Sequence, residues 1–568
     1  MSTKPEFAPT EPAPGEGLAD TGGPDTALIT RLAHEIWQEF SPSLAPALSH
    51  ARPAAPATGL GGAYPEQTPA YAPPVHPATA PAAQAAPGAP GGTASGAAGA
   101  ENAYPFGEPR CDAFGQPAPS SPAPHAPNFA PADSEGFASP AYYFIREPSL
   151  PTPSALPSPT APSAAKFDVE GVRRDFPALH QEVHGKPLVW LDNAATTQKP
   201  QAVIDATSHF YAHDNSNIHR AAHALAARST DLFEGGREKV RQFLGAADAR
   251  EIIFTRGTTE AINLVANAYG QKNIGVGDEI LLTRLEHHAN IVPWQLLAQR
   301  TGAQIRVVPI NDRGELILEE YVKLLSPRTK IVSVTHVSNA LGTINPVEQI
   351  IALAHARGVP VLVDGAQSTP HLPVNVRALD ADFYVFSGHK VFGPTGIGAL
   401  YGKASLLEAM PPWQGGGHMI KDVTFERTLY QHAPEKFEAG TPDIAGVVGL
   451  GAAIDYLFKV GLPVLAAYEH ALLEYATQAL ATVPGLRPIG TAQHKASVLS
   501  FVIPGVDNGK IARHLDQQGI AVRAGHHCAQ PAQRHFGLES TVRPSLAFYN
   551  THAEVDALVT ALRELPRH

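Results

Sequence analysis

Between residues 250 and 390 the chain is punctuated by short apolar runs that stop abruptly at polar residues, and this rhythm constrains its fold more than any other feature. Ile252-Ile253-Phe254, Ile280-Leu281-Leu282, Ile305-Arg306-Val307-Val308, Ile331-Val332-Ser333-Val334, Val361-Leu362-Val363 and Phe383-Tyr384-Val385-Phe386 are each rich in β-branched or aromatic residues. Runs of that length and make-up read as buried strands. Helical apolar patterns near 291–301 and 346–357 lie between them. Such alternation predicts an α/β fold with a mostly parallel sheet covered by helices on both faces. The polar residues that end the runs then gather along its carboxyl edge, where open α/β sheets bind ligands.

Two of those run ends carry unusual chemistry: Asp364-Gly365-Ala366-Gln367 and Ser387-Gly388-His389-Lys390. A buried ammonium is costly unless it is paired or converted to something else. A Schiff base with an aldehyde cofactor converts it, and an acid near a pyridinium nitrogen is the expected companion. Asp364 and Lys390 are the candidates for that pair, against the plainer reading of a solvated lysine at a strand end. Gly257-Thr258-Thr259 sits where a strand gives way to a helix, so free N–H groups and the helix dipole favour a phosphate there. Ordinary capping by threonine is the competing reading. Ser387 and His389 would complete a phosphate cup, and the chain holds no P-loop signature of a nucleotide triphosphatase.

Further along, Glu286-His287-His288-Ala289-Asn290 follows a strand, placing an imidazole where it can lie against a pyridine ring. The His pair lacks the i, i+4 spacing and third ligand of a zinc site, so no metal is expected. Asn339, in Thr335-His336-Val337-Ser338-Asn339, and Arg543, in Thr541-Val542-Arg543-Pro544-Ser545, suit a carboxylate, for which the planar guanidinium is the preferred grip. Arg523-Ala524-Gly525-His526-His527-Cys528-Ala529 sets a thiol among histidines and an arginine, a setting that favours a nucleophile over a structural cysteine. Cys111 is the only other cysteine, so no disulfide framework is expected.

Composition divides the 568 residues unevenly. Residues 1–165 hold 32 of the 54 prolines and one lysine, and carry 14 acidic against 5 basic residues. Such a segment buries too little apolar surface to offset the entropy of ordering, and it is expected to be a disordered extension. Two apolar islands interrupt it, a helical face at 28–40 and an aromatic cluster at 137–145. Residues 166–456 are expected to form a large domain, its first residues packing with a small α+β domain of residues 457–568. In the small domain a long helix from 457, a strand over 497–502, a helix over 511–518 and a closing helix from Glu554 are expected. No apolar stretch reaches the length of a membrane span, no signal peptide is visible, and the near-neutral folded region offers no nucleic-acid surface. A cytoplasmic protein is the expectation.

Together these segments, with Leu191-Asp192-Asn193-Ala194-Ala195 and Phe437-Glu438-Ala439-Gly440-Thr441-Pro442, resemble the class V branch of the fold-type-I pyridoxal 5'-phosphate (PLP) enzymes, and within it the Suf-type cysteine desulfurases. That resemblance covers about residues 166–568 and implies a seven-stranded-type sheet in the large domain. It implies that Lys390 carries PLP, Asp364 pairs with the pyridine nitrogen, Gln367 with the ring hydroxyl, and His287 stacks on the ring. Thr258, Thr259, Ser387 and His389 would hold the phosphate, and Thr441 would reach the other site of a homodimer. Asn339, Arg523, Arg543 and His219, in Asn217-Ile218-His219-Arg220, would position substrate. Lys390 would move the α-proton of L-cysteine, and Cys528 would take its sulfur as a persulfide for a sulfur-acceptor protein, as in iron–sulfur cluster assembly. Selenocysteine lyase, acting on L-selenocysteine, is the alternative within the class; a non-catalytic PLP-fold scaffold is the alternative outside it. The extension resembles that of encapsulin-associated cysteine desulfurases, which implies docking of residues 1–165 inside an encapsulin shell.

Overall fold

A computed structural model describes residues 167–218 and 223–566. Both apolar islands of the extension, and His219, lie outside the described residues. The folded region is built on helix α1 (Ala224–Leu244), strand β1 (Ile252–Thr255), helix α2 (Thr258–Val265) and strands β2 (Glu279–Thr283), β3 (Gln304–Val308), β4 (Thr329–Thr335), β5 (Val361–Asp364), β6 (Phe383–Ser387) and β7 (Gly398–Gly402). The seven strands form one sheet in the order β1-β7-β6-β5-β4-β2-β3. Strands β3, β2, β4, β5 and β6 pair in parallel. Every residue of β1, β2, β5, β6 and β7 is buried, as a sheet covered on both faces requires.

Strand β7, which no apolar run in the sequence announces, runs antiparallel to both β1 and β6. Gly398-Ala399-Leu400-Tyr401-Gly402 has only two large side chains and two glycines, and glycine and alanine are depleted in strands. Tertiary packing demands them: a Cβ at Gly398 would stand 2.4 Å from the Phe386 carbonyl oxygen and 2.6 Å from Gly257 Cα.

The outer edge of β1 is closed by a buried ion pair rather than by another strand. Arg237, on α1, donates from Nη1 and Nη2 to the two carboxylate oxygens of Glu438 at 2.7 and 2.9 Å. The same pair takes up the free groups of the strand: Arg237 Nη1 donates to the Ile252 carbonyl, and the Phe254 N–H donates to Glu438 Oε1.

Beyond the sheet come helices α3 (Ile444–Val460) and α4 (Leu462–Ala481), bent 78° at Gly461. The long helix expected from about 457 therefore starts at Leu462, after the chain turns at Gly461. Gly461 at φ 97° ends α3, and Pro463 in the first turn of α4 fits its start. No single described helix is long and apolar enough to cross a membrane. A second sheet contains β8 (Arg487–Pro488), β9 (Phe501–Val502), β10 (Arg523–Gly525) and β11 (Thr541–Arg543), in the order β8-β9-β11-β10. The strand expected over 497–502 shrinks to Phe501–Val502: it pairs with β11 only at Phe501↔Val542, and the next residue but one, Pro544, has no N–H to continue the ladder. Helices α5 (Asn508–Gln517) and α6 (His552–Arg563) pack with α4 around Leu472, Leu515 and Leu558. Val189–Trp190, near the start of the described region, pairs in parallel with Ile520–Ala521 beside them.

Candidate active site

Five loops leave the carboxyl ends of β1, β2, β4, β5 and β6 and converge on one cavity of about 180 Å³. From β1 come Thr258 and Thr259; from β2, His287; from β4, Asn339; from β5, Asp364 and Gln367; from β6, Ser387, His389 and Lys390. The second sheet adds Arg523, Cys528 and Arg543. The cavity thus gathers all but two of the expected site residues. Thr441 is placed elsewhere, lining a separate cavity with Asn217, Ile218 and Pro442. His219 is not described.

Lys390 follows β6 in a short 3-10 turn. Burial pulls its ammonium down to about 8, against the opposing pull of the Asp364 carboxylate. Asp364 closes β5 and accepts the Ala366 N–H at 2.9 Å. Burial raises its carboxyl above the usual range, while Ala366 and Lys390 hold it back. His287 accepts the Ala289 N–H on Nδ1 at 3.0 Å, so the neutral ring carries its proton on Nε2. Burial, with Lys390 next in weight, lowers its pKa to about 3, and the imidazole is uncharged at neutral pH.

At the start of α2, Gly257 adopts φ 137°, a conformation that favours glycine, and a Cβ there would stand 3.0 Å from Ser387 Oγ. Ser387 Oγ accepts the Thr258 N–H at 2.9 Å and lies 2.9 Å from Thr258 Oγ1. The two loops form one hydroxyl-lined seat at a helix N-terminus. His389 is held beside it through its carbonyl, which accepts from Thr197 N–H, Thr196 Oγ1 and Lys199 Nζ. Sequence reasoning gave no part to Thr196, Thr197 and Lys199, whose only signal was their place at the end of an apolar run. The residues fit PLP: a lysine amine, a carboxylate, an uncharged imidazole, an anion seat, and the buried Gln367 amide, all lining one cavity.

Cys528 occupies a four-residue link between β10 and the helix Gln530–His535, with His527 and Cys528 at φ 50° and 54°. Residues other than glycine are uncommon there, and hydrogen bonds fix the turn. Asn339 Nδ2 donates to the His527 carbonyl at 2.6 Å, and His288 N–H to the Cys528 carbonyl at 2.7 Å. Asn339, expected to face substrate, therefore also clamps the thiol loop. His288, His526 and Cys528 bring ligand-type atoms within 4.8 Å of one another, a convergence invisible in sequence. However, His526 Nδ1 accepts the Cys528 N–H and His288 Nε2 the Gln530 N–H. In their neutral forms both rings then present N–H groups rather than lone pairs, which suits a sulfur anion better than a metal. Arg543 is buried, donating to the Asn339 carbonyl at 2.8 Å and to Asp192 Oδ1 at 3.0 Å.

The aminotransferase class-V family model matches residues 189–558. A cysteine desulfurase of Synechococcus elongatus is 59% identical over 468 residues, covering 79% of this chain and 74% of that one. A probable cysteine desulfurase of Mycolicibacterium paratuberculosis is 62% identical over 399 residues, 70% of this chain, which spans 58% of that relative's length. The crystal structure of the cysteine desulfurase CsdA of Escherichia coli, in an S-sulfonic acid form, is 44% identical with a TM-score of 0.66 over 71% of this chain and 99% of that one. With its lysine-centred cavity at the carboxyl edge of this sheet, the chain belongs to the aminotransferase class-V family.

Proposed function

We propose that this chain is a PLP-dependent cysteine desulfurase of the Suf type, converting L-cysteine to L-alanine and leaving a persulfide on Cys528. The observation that carries the reading is the meeting of Lys390, Asp364, Cys528 and two arginines in one cavity. Asp364 and Gln367 would hold the two polar ends of the cofactor ring, with His287 against its face. Thr258, Thr259, Ser387 and His389 would hold its phosphate. When bound, PLP supplies an aldehyde for the substrate amine and a ring that accommodates the charge left when a proton departs.

Lys390 Nζ, with a pKa near 8, is basic enough to take the α-proton and deprotonated often enough to do so at neutral pH. His287 stays neutral and keeps its proton on Nε2. Arg523 and Arg543 grip the substrate carboxylate. The Cys528 sulfur attacks the sulfur of the substrate: an S–S bond forms, the substrate C–S bond breaks, and its electron pair stays on carbon. Overall, cysteine and one enzyme thiol become alanine and one enzyme persulfide, with no outside oxidant. Because the thiol sits in a short, hydrogen-bonded turn, the persulfide stays at the cavity mouth, which supports delivery to a docking acceptor protein.

We further propose three features around this core. The first is a division into an extension (1–165), a large PLP domain (166–456) and a smaller domain (457–568). The second is a homodimer, in which Thr441 serves the partner's site; the exposed Val423, Phe425, Leu429 and Tyr430 on and beside the hairpin Ile420–Val423 with Thr428–Tyr430 are apolar surface for a second copy to cover. The third is cytoplasmic targeting of the extension to an encapsulin shell. The Synechococcus relative supports a shared extension, since its match takes in more of the chain than residues 167–568 can supply.

Purified protein given L-cysteine and reductant should release alanine and sulfide in equal amounts, with L-selenocysteine run in parallel. Cys528→Ser should bind PLP yet form no persulfide. Alanine formation from L-cysteine at the wild-type rate in that variant would overturn the reading.

A further inference from the structure

Gln367, His371 and Glu469 form a buried chain that runs from the cavity to helix α4. Gln367 Nε2 lies 3.2 Å from His371 Nε2, and His371 Nδ1 lies 2.7 Å from Glu469 Oε2. The three side chains belong to residues that are 2, 7 and 3% exposed, respectively, so water does not compete for these contacts. A carboxylate has no proton to give, and its short contact therefore places the ring proton of His371 on Nδ1. In the neutral ring Nε2 then carries a lone pair, and whatever faces it must donate. Of the two ends of the Gln367 amide only the nitrogen can do so. Gln367 Oε1 is buried and has no partner, so His371 is what distinguishes the two ends of this amide. The amide nitrogen has two N–H bonds, and the second is left over while Gln367 lines the cavity.

We infer that His371, backed by Glu469, is a positioning residue: it fixes the amide of Gln367 with its nitrogen end, not its carbonyl end, available as a donor to an oxygen in the cavity. This rests on the proposed pairing of Gln367 with the ring hydroxyl of PLP. A side chain on α4, about a hundred residues further along the chain, thus selects the polarity of a group that serves the cofactor. His371 lies one helical turn's spacing after Gln367 in sequence, but nothing there reveals Glu469 as the third member.

The test compares full-length, PLP-loaded wild type with Gln367→Ala, Glu469→Gln and His371→Phe. Glu469→Gln keeps the volume and removes the obligatory acceptor; His371→Phe removes both ring nitrogens. Each preparation is read by the absorbance maximum of bound PLP, PLP affinity, melting temperature, and kcat and KM for L-cysteine. The expected result is that Glu469→Gln and His371→Phe move the absorbance maximum in the same direction as Gln367→Ala. Their kcat should fall about 10-fold, the low end of what outer partners of functional ligands contribute, with KM changed less than kcat. A purely structural role would lower the melting temperature and leave the spectrum alone, and that outcome overturns the inference. If Gln367→Ala itself leaves the spectrum unchanged, the pairing of Gln367 with the ring hydroxyl fails instead. If one of the two outer variants does not fold, the other supplies the comparison.

Discussion

Arg523 stands opposite Arg543 in the register of the antiparallel strands β10 and β11, so two guanidinium groups leave one face of the sheet and meet at one cavity. Like charges placed across a strand pair repel, and the pair is best satisfied by an anion. Arg543 already has Asp192, whereas Arg523 is exposed at the rim. Arg523→Ala should therefore raise KM for L-cysteine about 10- to 100-fold, the worth of a charged hydrogen bond, with little change in melting temperature. Arg543→Ala should lower the melting temperature as well, because it leaves Asp192 and the Asn339 carbonyl without their donor. Steady-state kinetics and thermal unfolding separate the two.

Lys390 gives a pH signature that needs no substrate. An amine attacks an aldehyde only when unprotonated, and this one is pulled down to about 8 by burial. Covalent PLP uptake by apoprotein should rise roughly tenfold per pH unit below about pH 8 and level off above it. Stopped-flow absorbance across pH 6–10 checks this; a rate still climbing at pH 10 would assign an ordinary lysine.

Burial also leaves four imidazoles hard to protonate: His287 at about 3, His527 at about 2, and His336 and His389 at about 4. Their folded pKa values lie below the unfolded value near 6.5, so between about pH 4 and 6.5 the unfolded chain binds protons that the folded chain refuses. Stability from these groups is complete above that window and is lost as pH falls. Glu286, raised by burial to about 8, and Asp364, also raised by burial, act in the opposite sense, so a difference measurement isolates the histidines. His527→Asn should lose stability less steeply than wild type below pH 6, by up to about 1.4 kcal/mol per pH unit, in urea unfolding at successive pH values.

The Arg237–Glu438 pair, both side chains 2% exposed, predicts an asymmetric response. Glu438→Ala leaves the buried Arg237 guanidinium with only the half-exposed Glu234 and the Ile252 carbonyl and the Phe254 N–H without its acceptor, and should cost about 3–5 kcal/mol. Changing both residues to apolar ones of similar size, Arg237→Met with Glu438→Leu, should recover much of that loss in denaturant unfolding.

How far the sequence could be read follows from what each element depends on. Six strands of the large sheet, and the polar residues at their carboxyl ends, were legible because strand and chemistry sit side by side in the chain. Strand β7 was not, since its identity comes from what it must avoid rather than from what it prefers. The hydrogen-bonded clamp of Asn339 and His288 on the Cys528 turn, and the link from Gln367 through His371 to Glu469, join residues about 100 to 240 positions apart. No local period encodes them. Glycine 461 and Pro463, by contrast, were visible punctuation that the expected long helix overran.

The backward course of β7 also explains where an anion can sit. Strands about 4.8 Å apart place β1 and β6, its two neighbours, about 9.6 Å from each other. Both deliver a loop to the same rim, while the strand between them only begins there, at Gly398. A reversed strand sends no departing loop from that rim, and the glycine at its first position lets the Gly257 backbone close on it, where a Cβ would stand 2.6 Å from Gly257 Cα. Gly257 and Ser387 meet above it, with Ser387 Oγ accepting the Thr258 N–H. The proposed phosphate seat is in this sense a property of connectivity: replacing Gly398 would drive the Gly257 loop away from Ser387 while leaving every hydroxyl proposed to face the phosphate in the sequence.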